Sequence, residues 1–157
     1  MRVGLGHDVH AFAEGRRLVL GGVEIAHERG LAGHSDADVL THALMDAIIG
    51  GLRAGDIGRL FPDTDAAFKD ADSLGLLRRV AQLMRESGYR LVDADCVVVC
   101  ERPKLAPHRE AMRARLAGAL DVDVDCVGVK ATTTERLGFA GREEGIAAWA
   151  VVLLDRV

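Results

Sequence analysis

An α+β domain, a mixed sheet with its helices packed on one face, is the fold class that three features of the chain predict. Stretches with a helical apolar stripe are interspersed with Val-rich runs of strand length. A Gly21-Gly22 dipeptide marks an early hairpin, and 157 residues suffice for one core without disulfide staples. A single domain over residues 1–157 is therefore expected.

Residues 2–12 read as a strand. Arg17 to Leu20 and Val23 to Ile25 read as a hairpin around Gly21-Gly22, a pair that readily takes the positive φ of tight turns. From Ala37 to about Gly51 the period becomes helical, with Val39, Leu40, Ala43, Leu44, Ala47 and Ile48 as the stripe. Ser35 or Asp36 is the expected N-cap and Gly50-Gly51 the stop. Residues 56–72 (DIGRLFPDTDAAFKDAD) show no sustained period. A loop of that length in a small domain is usually functional and is expected to form a flap. Asp72 or Ser73 starts a second helix that ends near Ser87 and Gly88, and a strand runs from Tyr89 to Cys100. Pro107 suits the first turn of a third helix reaching Leu120. Cys126 to Thr132 and the run ending at Leu154 complete the sheet. The apolar stretch Ile146 to Leu154 is expected to be buried on both faces, and its nine residues fall far short of the roughly 20 that a membrane helix needs.

The formal net charge of -4 argues against a nucleic-acid surface. Cys96, Cys100 and Cys126 contain no C-x-x-C pair, which suggests neither a disulfide framework nor a cysteine zinc ribbon. Met1-Arg2-Val3-Gly4 leads straight into motif residues without an apolar leader, so the expected location is the cytoplasm, rather than the plastid stroma of a processed chain. Gly4-x-Gly6 lacks the third glycine of a dinucleotide loop, Val9 standing there instead. No G-x-x-x-x-G-K-[ST] segment occurs.

The chemistry lies in two short stretches. In Gly6-His7-Asp8-Val9-His10, strand alternation puts Asp8 and His10 on one face and His7 and Val9 on the other. Alone, such a pair is more often a surface turn or a satisfied polar pair than a metal site. His42, inside the first helix, offers a third ligand, and three ligands with a vacancy suit a catalytic zinc. Asp38 and Asp46 lie one turn either side of His42, so either is expected to take its second imidazole proton. Lys130-Ala131-Thr132-Thr133-Thr134-Glu135 follows a strand with hydroxyls, turn amides and a carboxylate, which suits phosphate and Mg²⁺ as well as it suits a continued strand. Gly138 to Gly145 sets Arg142, Glu143 and Glu144 on a permissive backbone that also reads as a solvated turn.

DVHAF (8–12), HSDADVLTHALMDA (34–47), GDIGRLFPDTD (55–65) and KATTTERLGFAGREEGI (130–146), in this order, closely resemble the 2-C-methyl-D-erythritol 2,4-cyclodiphosphate synthase family. The resemblance implies an enzyme of the non-mevalonate isoprenoid route that converts a cytidine diphosphate derivative of methylerythritol 2-phosphate into a cyclic diphosphate with release of CMP. It implies a homotrimer, its sheets around a central axis and its active sites between subunits. Asp8, His10 and His42 match the zinc ligands, and Glu135 the carboxylate for Mg²⁺ or Mn²⁺. His34 and Thr133 match the catalytic pair that steadies the phosphates, with Ser35, Ala131, Thr132 and Thr134 beside them. Cytidine is then held by Cys100, Glu101, Arg102, Pro103, Lys104, Leu105 and Ala106 of one chain, and its ribose by Asp56, Ile57 and Gly58 of the other. Phe61, Pro62, Asp63, Thr64 and Asp65 belong to the flap over the methylerythritol. Phe139 and Arg142 face an axial cavity that the family links with isoprenoid phosphate.

The chain departs from the pattern at Leu5, often His, and at His7, commonly Phe or Tyr; both face away from Asp8 and His10. Two other classes use similar residues. A zinc phosphoesterase would need a nucleophilic water, and a ligand-binding oligomer with structural zinc would normally close its site with four, often cysteine, ligands.

Overall fold

The computed structural model describes residues 1–157. Strands are β1 (Arg2–Ala13), β2 (Leu18–Leu20), β3 (Val23–Ile25), β4 (Gly30–Leu31), β5 (Tyr89–Val99), β6 (Val127–Thr132) and β7 (Gly145–Arg156). Helices are α1 (Val39–Leu52), α2 (Ile57–Leu60), α3 (Ser73–Glu86), α4 (Arg109–Leu120) and α5 (Gly138–Gly141). The main sheet runs β4-β1-β7-β5-β6, and β2 pairs with β3. Only β5 and β6 are parallel in the main sheet, so it is mixed as expected.

Alternation along β1 and β7 decides what each face carries. Gly4, Gly6, Asp8 and His10 lie opposite Val152, Ala150, Ala148 and Ile146 and look toward α1, which with α3 and α4 closes one continuous core over these β7 side chains and leaves Asp8 and His10 partly exposed at its edge. Leu5, His7 and Val9 lie opposite Val151, Trp149 and Ala147 on the other face. That outer face is apolar but open: Val3 is 66% exposed, Leu5 64%, Val151 45% and Trp149 37%, with His7 stacked on Trp149 at 4.3 Å. The expectation of a C-terminal strand buried on both faces therefore fails in the single chain from Trp149 onward. Only near Ala147 is the outer face covered, by Ala140 of α5 packing with Val99.

Glycine at positions 4 and 6 sets the depth of α1. A Cβ on Gly4 would lie 1.8 Å from the Ala47 carbonyl oxygen, and one on Gly6 would lie 2.0 Å from that of Ala43. Helix backbone thus rests directly on strand backbone. Gly51, expected to stop the helix, extends this contact instead, its own Cβ position lying 3.6 Å from Gly4 Cα. The helix runs on to Leu52 and ends at Arg53, which takes a left-handed conformation at φ 64°.

The start of α1 also differs from expectation. Its cap is Asp38, accepting from Thr41 N–H at 3.0 Å, because Ser35 and Asp36 are engaged elsewhere. Asp38 is wholly buried and further accepts the Thr41 hydroxyl at 2.7 Å and the Gly21 and Gly22 N–H groups at 2.9 and 2.7 Å. Burial pushes its carboxyl pKa up, and these donors oppose that push. The Gly21-Gly22 turn, with φ of 56° and 72°, is thereby bolted to the mouth of α1. The 56–72 segment holds two short helical pieces, α2 and a 3₁₀ turn at Ala66–Phe68, and another 3₁₀ turn carrying Pro107 leads into α4.

Candidate metal centre and its flanking cavities

Asp8 and His10 reach their common point from the inner face of β1, and His42 meets them from α1 because the glycine contact brings the two backbones together. Asp8 Oδ2 lies 2.8 Å from His10 Nε2 and 3.1 Å from His42 Nδ1, and the two nitrogens are 3.2 Å apart. The three atoms form the one potential metal-holding group of this kind in the structure.

The partners of the remaining ring atoms show which atoms are bare. His10 Nδ1 sits 2.6 Å from the Ala32 carbonyl and can only donate to it, so the neutral ring turns the lone pair of Nε2 inward. His42 Nε2 lies 2.9 Å from Ser73 Oγ and 3.2 Å from Ser35 Oγ, leaving Nδ1 to face Asp8. Three electron-pair donors thus converge, an arrangement that repels itself unless a cation or proton stands among them. Their spacing is close to the roughly 3.3 Å edge of a tetrahedron with bonds near 2.0 Å, and the donor set of two imidazoles and a carboxylate suits zinc or a similar divalent ion. The residues fit a metal.

Electrostatics agree with that conclusion. Burial alone would raise the Asp8 carboxyl, but the imidazoles of His10 and His42 outweigh it and hold the group well below the usual carboxylate range. His10 shifts the opposite way: burial disfavours its cation, yet the Asp8 carboxylate and the Ala32 carbonyl raise its affinity for a proton. The cluster draws positive charge.

Neither carboxylate expected to orient His42 does so. Asp38 is spent on the hairpin and Thr41, and Asp46 accepts the Ile57 N–H at 3.2 Å at the start of the flap. The group behind His42 is Ser73, whose hydroxyl donates to Asp36 Oδ1 while its N–H donates to Oδ2 at 3.0 Å. Local pattern predicts only capping roles for Ser73 and Asp36, and the contact between them spans 37 residues of sequence. Gly33 is a second omission, since a Cβ there would press within 3.1 Å of the His10 ring.

A cavity of about 370 Å³ opens beside the cluster. Of the expected residues it brings together His10, His34, Ser35, His42, Ile57, Gly58, Phe61 and Asp63, and Gly33, Phe68 and Leu76 complete it. The 56–72 segment thus does flank the metal cluster. It is tied back by the His34 ring to the Asp65 carbonyl at 3.1 Å and by the Asp70 N–H to the His34 carbonyl at 2.8 Å. Asp56 caps α2 through the Arg59 N–H, and Asp65 caps the following turn; Pro62, Thr64 and these two side chains are not among the cavity walls.

A second concavity, about 160 Å³, is lined by Cys100, Pro103, Lys104, Leu105, Ala106, Ala131, Thr132 and Thr133. It does not adjoin the metal cluster's cavity through any shared residue. Glu101 faces inward to the chain, accepting the N–H groups of Thr134 and Arg136 at 3.1 and 3.0 Å, and so shapes the turn that presents Thr133 and Glu135. Thr133 Oγ1 donates to Glu135 Oε1 at 3.2 Å. Arg102 pairs with Glu143 at 2.7 Å, and Arg142 with Glu144 at 2.8 Å near the half-exposed Phe139. No helix is long and apolar enough to cross a membrane.

Comparison with known proteins matches the sequence and fold of this chain to a known group. Residues 1–155 match the YgbB family. A 2-C-methyl-D-erythritol 2,4-cyclodiphosphate synthase of Bacillus cereus is 59% identical over 155 residues, 99% of this chain and 98% of the relative. Among solved structures, the bifunctional IspDF of Campylobacter jejuni aligns with a TM-score of 0.96 and 47% identity, over 99% of this chain and 42% of that longer one. The Plasmodium falciparum IspF complex with CDP aligns at TM-score 0.86 and 32% identity, over 99% and 96%. With its sheet, helices and full length all shared with these proteins, the chain belongs to the YgbB family of 2-C-methyl-D-erythritol 2,4-cyclodiphosphate synthases.

Proposed function

We propose that the protein, a single domain over residues 1–157, converts 4-diphosphocytidyl-2-C-methyl-D-erythritol 2-phosphate to the 2,4-cyclodiphosphate and CMP. The observation that carries this reading is the full-length 59% identity to a synthase of that name. The converging Asp8, His10 and His42 supply the chemistry it needs.

An oxygen of the 2-phosphate attacks the β-phosphorus, a new P–O–P bond forms, and the bond to the CMP oxygen breaks with its electron pair leaving on CMP. The nucleophile is already anionic at neutral pH and is tethered in the same molecule. No protein base is required, and catalysis reduces to holding and charge neutralisation. Asp8, His10 and His42 would hold a divalent ion, zinc in this reading, which would supply Lewis-acid charge to the phosphates. His34 and Thr133 steady the phosphates, with Ser35, Ala131, Thr132 and Thr134 close by, and Glu135 offers a carboxylate oxygen to Mg²⁺ or Mn²⁺ arriving with substrate. Phe61, Pro62, Asp63, Thr64 and Asp65 form the flap over the methylerythritol, Cys100 to Ala106 of one chain hold the cytidine, with Glu101 acting through the turn it shapes, and Asp56, Ile57 and Gly58 of the neighbouring chain hold the ribose. Incubation of the protein with substrate, zinc and magnesium should yield CMP and cyclic diphosphate in equal amounts. Inorganic phosphate in place of the cyclic product would sink the reading in favour of a phosphoesterase.

The active unit in this proposal is a homotrimer. Two features support it: the open apolar outer face of β1 and β7, and the separation of the metal cavity from the Cys100–Thr133 concavity, which neighbouring chains would bring together. Phe139 and Arg142 would then face the axis, where an isoprenoid phosphate is the proposed ligand. Light scattering should give three times the chain mass. Lys104→Ala should weaken binding of the cytidine end more than it slows the bound reaction, and mixing it with a His42→Ala subunit should regain some sites built from two intact halves, read as a rise in activity at low substrate above that of either parent. A monomer, or no recovery on mixing, would overturn the shared site.

A further inference from the structure

Ser73, the first residue of α3, is completely buried and has one hydroxyl proton to give. That proton goes to Asp36 Oδ1. Toward His42 Nε2, 2.9 Å away, the hydroxyl oxygen can therefore only accept, which places the ring proton on Nε2 and leaves Nδ1 bare toward Asp8 and His10. Ser35 Oγ, the other atom near Nε2 at 3.2 Å, already accepts the Ala37 N–H and is the weaker partner. The opposite tautomer would aim an N–H at Asp8 Oδ2, 3.1 Å away, and fill the place of a cation with its own proton.

We propose that Ser73, fixed by Asp36, is a positioning residue that selects Nδ1 of His42 as the ligand atom and so sets metal affinity. This rests on the reading of Asp8, His10 and His42 as a metal site. A role in the helix alone is separable, because Asp72 is the cap of α3 and Ser73 keeps its N–H bond to Asp36 Oδ2 when the hydroxyl is removed.

Zn²⁺ affinity of the full chain, measured by competition with a chelating dye, should fall about 10- to 100-fold in Ser73→Ala. The visible absorption of the Co²⁺-loaded variant should shift from that of the native protein, as its imidazole turns. Asp72→Ala, which loses the cap, should lower thermal stability and leave Zn²⁺ affinity unchanged. Should the alanine variant not fold, Asp36→Asn carries the same test, since it weakens the acceptor that fixes the hydroxyl. Native protein that binds neither ion overturns the metal reading and this assignment with it. Tight native binding that Ser73→Ala, or Asp36→Asn in its place, leaves unaltered overturns the assignment alone.

Discussion

Replacing His42 by Ala should empty the metal site and remove turnover while leaving the fold in place. The ring supplies one of three converging donors, and the other two, Asp8 Oδ2 and His10 Nε2, lie 2.8 Å apart, where they would simply share a proton. Two protein ligands are too few for a retained catalytic zinc. If the ion contributes about 4 kcal/mol to the transition state, the loss is roughly a thousandfold in rate, at 1.36 kcal/mol per decade. The fold should survive because Ser73 stays bonded to Asp36 and the buried stripe of α1 is untouched. Elemental analysis, helical circular dichroism and product formation should be measured on one preparation. A His42→Ala protein that keeps a full complement of zinc would show that the ligands have been chosen wrongly.

An equally large effect is expected from a residue with no chemistry. Gly6→Ala places a methyl 2.0 Å from the Ala43 carbonyl oxygen and 2.6 Å from the Ala47 amide nitrogen. Both obstacles are backbone in the middle of a helix, so no rotamer change relieves them and α1 must move off the sheet. Overpacking of side chains typically costs 1 to 3 kcal/mol; a backbone obstacle belongs at or above the top of that range, at about 3 kcal/mol or more. Because His42 rides on α1 while Asp8 and His10 ride on β1, the same retreat opens the donor triangle, and metal affinity should fall although every ligand is present. Gly50→Ala is the control: its Cβ would meet only the Leu5 carbonyl oxygen at 4.0 Å, inside a helix where alanine is the better residue, and it should be neutral or slightly stabilising. Urea midpoints and zinc titrations of both variants test the pair. A Gly6→Ala protein within about 0.5 kcal/mol of native, the usual scatter of surface substitutions, would show that α1 does not rest on this glycine.

Much of this molecule is legible without coordinates wherever the information is local. Asp8 and His10 share a face because a strand has a period of two, Gly21-Gly22 turns because only such residues take two positive φ values cheaply, and the helix carrying His42 shows its stripe in fourteen residues. The order of four motifs along the chain carried the family. What was misread were side chains with more than one available partner. Ser35, Asp36 and Asp38 are all good caps, and only the packing of α3 and the hairpin against this turn decides that Asp36 takes Ser73, Asp38 takes Gly21, Gly22 and Thr41, and the helix begins later. Gly4 and Gly6 make no dinucleotide loop, lacking its third glycine, and their use as a helix seat exists only once α1 lies on β1. The open outer face of β7 was likewise invisible, since an apolar run has the same composition whether its second face meets a helix or nothing in its own chain. Sequence by itself determined the elements, the converging donors and the family, because backbone periodicity and residue chemistry act over a few positions. Tertiary structure decided the partner of each polar group and the depth of each contact, because a buried donor or acceptor is satisfied by whatever folding brings to it from other elements, 16 residues away for Asp38 and Gly22 and 37 for Asp36 and Ser73.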